Sequence, residues 1–147
     1  MKVVAIASAG GHWIELLRLM PAFAGSKMIF VSTHKSFHES VPGHEYYTVP
    51  DASRWNKLKL LYVGLRVAFI IVKTRPDAVI STGAAPGLMG IIAGRLVGSK
   101  TIWIDSMANV ENISMSGRIA LRFASKFYTQ WPHLASKGIT YSGNVLI

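Results

Sequence analysis

The sequence predicts an α/β fold, a Rossmann-like parallel sheet with helices on both faces. Short apolar runs alternate along the chain with stretches of helical periodicity, and turns of glycine or other small residues join several of these runs to the next helix. Regular alternation of strand and helix favours a parallel sheet, whose right-handed crossovers place helices on the two faces. The 147 residues are about the length of one domain, so we expect a single domain over residues 1–147.

Three strands and one helix are expected before residue 50. Residues 2–7 form an apolar run that ends at Ser8 and a pair of glycines, after which residues 13–20 have helical spacing and Pro21 follows the helix end. Residues 27–32 and 45–49 are rich in β-branched and aromatic side chains and are expected to form the second and third strands.

The rest of the chain continues the alternation of strands and helices. We expect a long helix over residues 53–74, a strand over 78–80, a helix over 87–97, a buried strand over 100–104, a helix over 116–125 and a strand over 126–129. Gly90, Gly94 and Gly98 recur at every fourth position, which we interpret as a face that lets the helix lie close against the sheet.

Composition excludes several classes of protein. Half of the residues are hydrophobic and 16% are charged, which excludes a disordered chain. The 16 Lys and Arg outnumber the 7 Asp and Glu, and the net charge of +9 favours phosphate, nucleic acid or an anionic membrane surface as partner. The absence of cysteine excludes disulfides and thiolate metal sites. The apolar run over residues 60–72 contains Arg66 and is shorter than a membrane-spanning helix, and the first residues lack the apolar region of a secretory signal.

Ligands of parallel sheets bind beyond the carboxyl ends of the strands, where the strand order reverses. The loops at residues 8–12, 81–86 and 105–112 are therefore the candidate site. The first contains Ser8, Gly10, Gly11 and His12 and opens a helix, so its backbone N–H groups and the positive helix end favour a phosphate. Its spacing is neither that of a dinucleotide fingerprint nor that of a P-loop, and a tight turn that only requires glycine is the alternative. His12 is a candidate phosphate donor or general base, or a residue that caps or packs.

The other two loops contain further candidates. Thr82 and Gly83 follow a strand and allow a ligand to approach the backbone closely. Asp105 ends the strand over 100–104 and is a candidate base or hydroxyl acceptor, with capping of the next element as the alternative. His34 and His38 have the i,i+4 spacing of metal ligands, but they lie in an expected loop without a third ligand. We interpret them as loop histidines, and we expect no metal and no cofactor.

The long helix carries two parallel stripes, each with a spacing of seven residues. They are the aromatic Trp55, Tyr62 and Phe69 and the basic Lys59, Arg66 and Lys73. At about 100° per residue the stripes lie side by side, while the opposite face is apolar. This pattern predicts a helix that packs on the protein with one side and meets anionic lipid headgroups with the other; a buried helix with three snorkelling cations is the alternative. Nucleic acid is not expected, because the stripes lie within a largely aliphatic surface.

Several short segments together form a recognisable pattern. They are Ser8-Ala9-Gly10-Gly11-His12, Ser81-Thr82-Gly83, Trp103-Ile104-Asp105-Ser106 with Asn109, Ser114-Met115-Ser116-Gly117-Arg118, Tyr128-Thr129-Gln130-Trp131-Pro132 and Tyr141-Ser142-Gly143-Asn144. Over nearly the whole chain, the pattern resembles the membrane-recruiting, acceptor-side subunit of split UDP-sugar glycosyltransferases. That family includes the eukaryotic subunit of the dolichol-linked N-acetylglucosamine step and bacterial counterparts in capsule and exopolysaccharide assembly.

The resemblance implies the N-terminal, acceptor-side half of a GT-B glycosyltransferase. A separate catalytic subunit would bind the nucleotide-sugar, and this chain would be inactive alone. Gly10, Gly11 and His12 would face the diphosphate of a polyprenyl-linked acceptor or of the donor, with His12 as base. Asp105 stands where the eukaryotic subunit has glutamate. That subunit has a transmembrane segment before its Gly-Gly-His turn, whereas this chain starts with the strand, so we expect peripheral attachment at the cytoplasmic face of the membrane.

Two functional hypotheses follow. The first is an acceptor-binding and membrane-docking subunit of a two-component inverting glycosyltransferase, which transfers a sugar from a nucleotide-sugar to a polyprenyl-diphosphate-linked acceptor. The second is a stand-alone nucleotide- or phosphate-binding module without transferase activity. The apolar end of the chain, residues 145–147, either packs on this domain or docks the partner subunit.

Overall fold

The computed structural model describes residues 1–146 and confirms the predicted fold class. Within these residues one sheet of seven parallel strands has the order β3-β2-β1-β4-β5-β6-β7. The strands are β1 (Lys2–Ile6), β2 (Lys27–Ser32), β3 (Glu45–Thr48), β4 (Ala78–Ser81), β5 (Lys100–Ile104), β6 (Lys126–Thr129) and β7 (Thr140–Tyr141). The α-helices are α1 (Gly11–Leu19), α2 (Lys57–Thr74), α3 (Ala84–Leu96) and α4 (Met115–Ala120), and short 3-10 helices cover Met20–Phe23, Lys35–Ser40 and Pro132–Leu134.

Helices cover both faces of the sheet, as predicted. On one face α2, α3 and α4 bury Val67, Ile91 and Ala120 against strand residues that include Val79 and Trp103. On the other face α1 buries Trp13 and Leu16 in a second cluster with further strand residues. Because both faces bury aliphatic side chains, the central strands consist of nearly continuous apolar runs.

The helix ends differ from the expected ones for local reasons. α2 begins at Lys57 instead of residue 53. Asn56 caps it there, because the Asn56 side chain accepts from the Lys59 N–H at 3.1 Å. α3 begins at Ala84 instead of residue 87. Pro86 fits in its first turn, because the N–H groups of the first turn have no acceptor within the helix and the missing N–H of proline costs no hydrogen bond there. α4 ends at Ala120 instead of residue 125. Strand β7 was not predicted, since two exposed residues show no periodicity.

Glycines allow α3 to lie against the sheet. A methyl group at Gly90 would lie 2.2 Å from Cδ1 of Ile6, and one at Gly94 would lie 2.7 Å from Cγ2 of Val79. The predicted packing role is therefore correct for these two residues. It is wrong for Gly98, which follows the helix with φ of +86° and has open space around it. Among residues 1–146, no helix is long and apolar enough to span a bilayer.

Candidate functional site

The strand order reverses between β1 and β4, and the two predicted loops leave the sheet side by side at this point. Ile6 at the end of β1 is paired with Ser81 at the end of β4. Residues 7–10 lead from β1 into α1, and residues 82–83 lead from β4 into α3, so both loops are shorter than predicted. The N-termini of two helices therefore flank one crevice, which is the usual ligand position in such sheets.

We call residues 8–12 the glycine turn, and it presents unobstructed backbone at this crevice. Gly10 is the N-cap of α1 with φ of +80°, a conformation that favours glycine, and no side chain of the described residues caps the helix. Gly10 and Gly11 are exposed, and within the described part of the chain no atom outside the turn lies within 4 Å of the position that a Cβ atom would take at either residue. The first N–H groups of a helix have no acceptor within it. The turn can therefore donate to an anionic group of a ligand.

His12 is held by the neighbouring loop. Its Nδ1 lies 3.0 Å from the carbonyl oxygen of Thr82, and the Thr82 hydroxyl donates to the carbonyl oxygen of His12 at 2.6 Å. A carbonyl oxygen only accepts hydrogen bonds, so Nδ1 carries the proton and the lone pair lies on Nε2. This is the tautomer that accepts a proton through Nε2.

Gly83 completes the setting of the imidazole. A methyl group on Gly83 would lie 2.5 Å from Cε1 and 2.6 Å from Nδ1 of His12. The backbone of Gly83, with φ of +142° and ψ of −175°, is one that other residues rarely adopt. The buried Ser81 supports this turn, because its hydroxyl accepts from the Gly83 N–H at 3.0 Å. The structure thus brings the predicted residues together in two adjoining loops and the first turn of α1: Ser8, Gly10, Gly11, His12, Thr82 and Gly83.

Asp105 is the centre of a separate hydrogen-bond network. The side chain is 2% exposed and accepts from Trp103 Nε1 at 2.9 Å and Asn109 Nδ2 at 3.3 Å. It also accepts from the N–H and the hydroxyl of Ser114, at 2.9 and 2.6 Å, and Ser114 is the N-cap of α4. With four donors on its carboxylate, Asp105 fixes the loop between β5 and α4. A direct role in proton transfer stays a prediction.

Glu15 is a site residue that the sequence reasoning missed. It is 8% exposed, and its Oε1 accepts from the Ser106 hydroxyl at 3.1 Å and from the Met107 N–H at 2.9 Å. Its Oε2 is buried and has no hydrogen-bond partner among residues 1–146. The signal in the sequence was a carboxylate among the apolar positions of α1, beside Trp13 and Leu16. Glu15 thereby joins α1 to the loop that follows β5.

The residues after β6 link the same loop to the end of the described chain. The Gln130 side chain donates to the carbonyl oxygen of Asp105 at 3.0 Å and accepts from the Val145 N–H at 3.0 Å. Trp131 Nε1 donates to the Met107 carbonyl oxygen at 2.9 Å, and Arg18 donates to the Val145 carbonyl oxygen at 2.9 Å. Residue 145 thus packs on this domain, whereas Ile147 lies outside the described residues. Glu111, in the loop between β5 and α4, is exposed.

The outer side of α2 carries more exposed apolar surface than predicted. Val63, Val67, Ile70 and Ile71 are buried on the inner side, as expected. We call the exposed residues the apolar strip; they are Leu58, Leu61, Tyr62, Leu65, Phe69 and Val72, each between 52% and 83% exposed. The basic stripe runs along one edge of this strip, with Lys59 and Lys73 exposed and Arg66 half-buried. The placement of Trp55 on the helix was wrong, because α2 begins at Lys57; Trp55 lies in the preceding turn, 81% exposed, under the guanidinium of Arg54.

The two loop histidines are engaged in packing. His38 stacks on Tyr46 with ring centroids 5.4 Å apart, and His34 lies 5.3 Å from Phe37. Among residues 1–146, no three His, Asp or Glu side chains lie close enough to hold a metal ion.

The strand order and the position of the loops define a Rossmann-like domain, with the fold of the N-terminal half of a GT-B protein. The crystal structure of MurG from Acinetobacter baumannii superposes with a TM-score of 0.79 at 15% identity, over 98% of this chain and 46% of MurG. A UDP-GlcNAc 2-epimerase from Methanocaldococcus jannaschii superposes with a TM-score of 0.72 at 15% identity, over 98% of this chain and 46% of the epimerase. The chain therefore spans about half the length of these proteins, and at such identities the likeness concerns the fold.

Sequence comparison identifies the family. The model of the "Oligosaccharide biosynthesis protein Alg14 like" family matches residues 51–145. Two relatives are named UDP-N-acetylglucosamine transferase subunit ALG14. The protein from Schizosaccharomyces pombe is 32% identical, and the match covers 88% of this chain and 75% of the relative. The protein from Yarrowia lipolytica is 28% identical, and the match covers 92% of this chain and 76% of the relative. The chain belongs to the Alg14-like family, which confirms the resemblance inferred from its motifs.

Proposed function

We propose that this chain is the acceptor-binding and membrane-docking subunit of a two-component inverting glycosyltransferase. One observation carries the proposal. The relatives of this chain are named transferase subunits, and the chain has the fold of one half of a two-domain enzyme, since it covers 46% of MurG. The other half, with the nucleotide-sugar site, would be a separate catalytic subunit, so this single domain would be inactive alone.

The names of the relatives support the identity of the proposed sugar donor. Both are UDP-N-acetylglucosamine transferase subunits, so we propose UDP-GlcNAc as the donor bound by the partner. The acceptor is a sugar linked through diphosphate to a polyprenol. Its diphosphate, or that of the donor, meets the free N–H groups of the glycine turn.

His12 is the proposed general base. Nδ1–H stays bonded to the Thr82 carbonyl oxygen while Nε2 takes the proton of the acceptor hydroxyl. The hydroxyl oxygen forms the new bond to the anomeric carbon of the donor sugar. The bond from that carbon to the diphosphate breaks, and UDP leaves with the electron pair from the opposite face, which inverts the configuration. Asp105 contributes by holding the loop beside the crevice.

The outer side of α2 is the proposed membrane contact. The apolar strip enters the interface between headgroups and acyl chains, and Lys59, Arg66 and Lys73 along its edge meet anionic headgroups. The chain then works as a peripheral protein at the cytoplasmic face of the membrane.

A reconstitution of sugar transfer tests the proposal. Transfer of N-acetylglucosamine to a polyprenyl-diphosphate-linked sugar is measured with this chain, with the partner and with both. We expect transfer only with both, and robust transfer by this chain alone would reject the two-component enzyme. Replacing His12 by alanine should abolish transfer and leave the heterodimer intact, whereas near-normal turnover would exclude His12 as the base. Tight binding of a nucleotide without the partner would instead favour the stand-alone module.

A further inference from the structure

An open cavity of about 560 Å³ lies at the carboxyl ends of β2 and β3, beside the glycine turn. Three segments form its walls: residues 33–36 after β2, residues 48–50 at the end of β3, and one turn of α2 with Tyr62 and Arg66. The Val49 N–H donates to the Ser32 carbonyl oxygen at 2.9 Å and holds the first two walls together. The Tyr46 hydroxyl donates to the carbonyl oxygen of His34 and anchors the first wall further.

The groups that line the cavity are those that bind a phosphate ester. Lys35, Arg66 and the ring of His34 supply nitrogen donors, and the hydroxyl groups come from Thr33, Ser36, Thr48 and Tyr62. Within residues 1–146 the lining contains no carboxylate, and the neighbouring Asp51 is exposed outside it. Arg66 is half-buried, so solvent screens its charge less than that of an exposed cation.

The position of the cavity adds a second, independent observation. Tyr62 lines the cavity and also belongs to the apolar strip, so the cavity opens at the edge of the surface that faces lipid in the proposed function. On the opposite side, the Thr33 hydroxyl accepts from the Ala9 N–H of the glycine turn at 3.2 Å. Apolar strip, basic cavity and glycine turn therefore follow one another across the surface.

We propose that this cavity binds the diphosphate of the lipid-linked acceptor, at the phosphate nearer the lipid, an inference that rests on the proposed function. The order of the three surfaces is the order of the parts of such a molecule. The polyprenyl chain leaves the bilayer along the apolar strip, the phosphate enters between Lys35 and Arg66, and the sugar passes Thr33 towards His12. The two side-chain cations meet the phosphate nearer the lipid, which leaves the second phosphate of the diphosphate for the free N–H groups of the glycine turn.

Binding of a short, water-soluble polyprenyl diphosphate to the full chain tests this site by calorimetry. The double variant Lys35→Gln/Arg66→Gln should bind at least about tenfold more weakly for each cation lost. The matched control is Lys59→Gln/Lys73→Gln, which removes the same charge from the same surface outside the cavity and should weaken binding less than about threefold. Equal weakening in the two double variants would overturn the proposal in favour of diffuse attraction.

A second variant protects the test against misfolding. Ser36 is exposed and lines the cavity, so Ser36→Glu places a negative charge there without altering a packed residue. It should weaken diphosphate binding at least about tenfold with an unchanged thermal unfolding transition. Full binding by this folded variant would overturn the site.

Vesicles identify the source of the phosphate. Phosphatidylcholine vesicles containing polyprenyl diphosphate are compared with vesicles containing phosphatidic acid. A selective loss of binding to the polyprenyl diphosphate in the Lys35/Arg66 variant supports the acceptor subsite, and a loss confined to phosphatidic acid overturns it in favour of a headgroup site.

The binding arms need neither partner nor donor, which separates the two proposals. In the transfer assay the cavity variant should raise the KM for the lipid acceptor with little change in kcat. If the complex shows no transfer but diphosphate binding depends on the cavity, the proposed function fails and the phosphate site stands. If transfer works and binding ignores the cavity variant, the site alone fails.

Discussion

Replacing Gly83 by alanine is expected to displace the imidazole of His12 and to slow sugar transfer by about a hundredfold. The new methyl group would lie 2.5 Å from Cε1 and 2.6 Å from Nδ1 of His12, whereas carbon atoms in contact prefer about 3.5–4.0 Å. The ring must therefore move by about 1 Å or more. A movement of that size breaks the 3.0 Å contact of Nδ1 with the Thr82 carbonyl oxygen, and misplacing a catalytic group by about 1 Å costs about 100-fold in rate.

Backbone strain accompanies this substitution and needs its own control. The conformation of Gly83 costs other residues about 1–3 kcal/mol, so the variant should also be less stable to urea. Gly98→Ala is the matched control, because Gly98 also has a positive φ, of +86°, but has open space around it and lies at the end of α3 remote from His12. It should lose stability and keep its transfer rate.

Two measurements decide the outcome. Transfer is assayed with the partner at saturating acceptor, and long-range proton–nitrogen NMR correlations report which ring nitrogen of His12 carries the proton. The parent and Gly98→Ala should show the Nδ1–H tautomer, and Gly83→Ala should lose it. Equal transfer rates and equal tautomers in the two variants would refute the idea that Gly83 sets the position of His12.

Three further predictions concern the network and the helix surface. Asp105→Ala should lower the free energy of unfolding by about 3 kcal/mol in urea titrations, because its buried donors lose their acceptor; a change below about 1 kcal/mol would contradict this account. Glu15→Gln should change that free energy by less than about 1 kcal/mol, since the amide oxygen still accepts from the loop, whereas Glu15→Ala should cost about 2 kcal/mol; equal effects would show that these hydrogen bonds do not matter. Changing Lys59, Arg66 and Lys73 to Gln should weaken sedimentation with anionic vesicles about fivefold per charge at low salt, with a smaller effect at high salt; unchanged binding would return this side of α2 to a protein interface.

Strands β1 to β6 were predictable from the sequence because each is a short run rich in apolar or aromatic residues between clear turn signals; the two residues of β7 carry no such pattern. β2, β5 and β6 have the expected bounds, and the order of elements led to the parallel sheet. The end of α4 was less predictable, because residues 121–125 continue the helical composition while the chain turns towards β6.

The candidate site was predictable only in part. The glycine turn and the Ser81-Thr82-Gly83 loop follow from the rule for strand ends. The partners of Asp105 and Glu15 do not, because Glu15 bonds to residues 91 and 92 positions further along the chain. Such contacts depend on which strands become neighbours, and local periodicity contains no information about that.

The crossed hydrogen bonds between His12 and Thr82 also have a consequence for folding. They join residues 70 positions apart, and they can form only when β4 has taken its place beside β1. Contacts of such separation close a long loop and contribute late to the stability of a growing structure. The orientation of the imidazole is therefore a property of the assembled sheet, and a partly folded chain that already contains the glycine turn and α1 would still lack it. A ligand that requires this orientation would select the fully folded protein over every such intermediate.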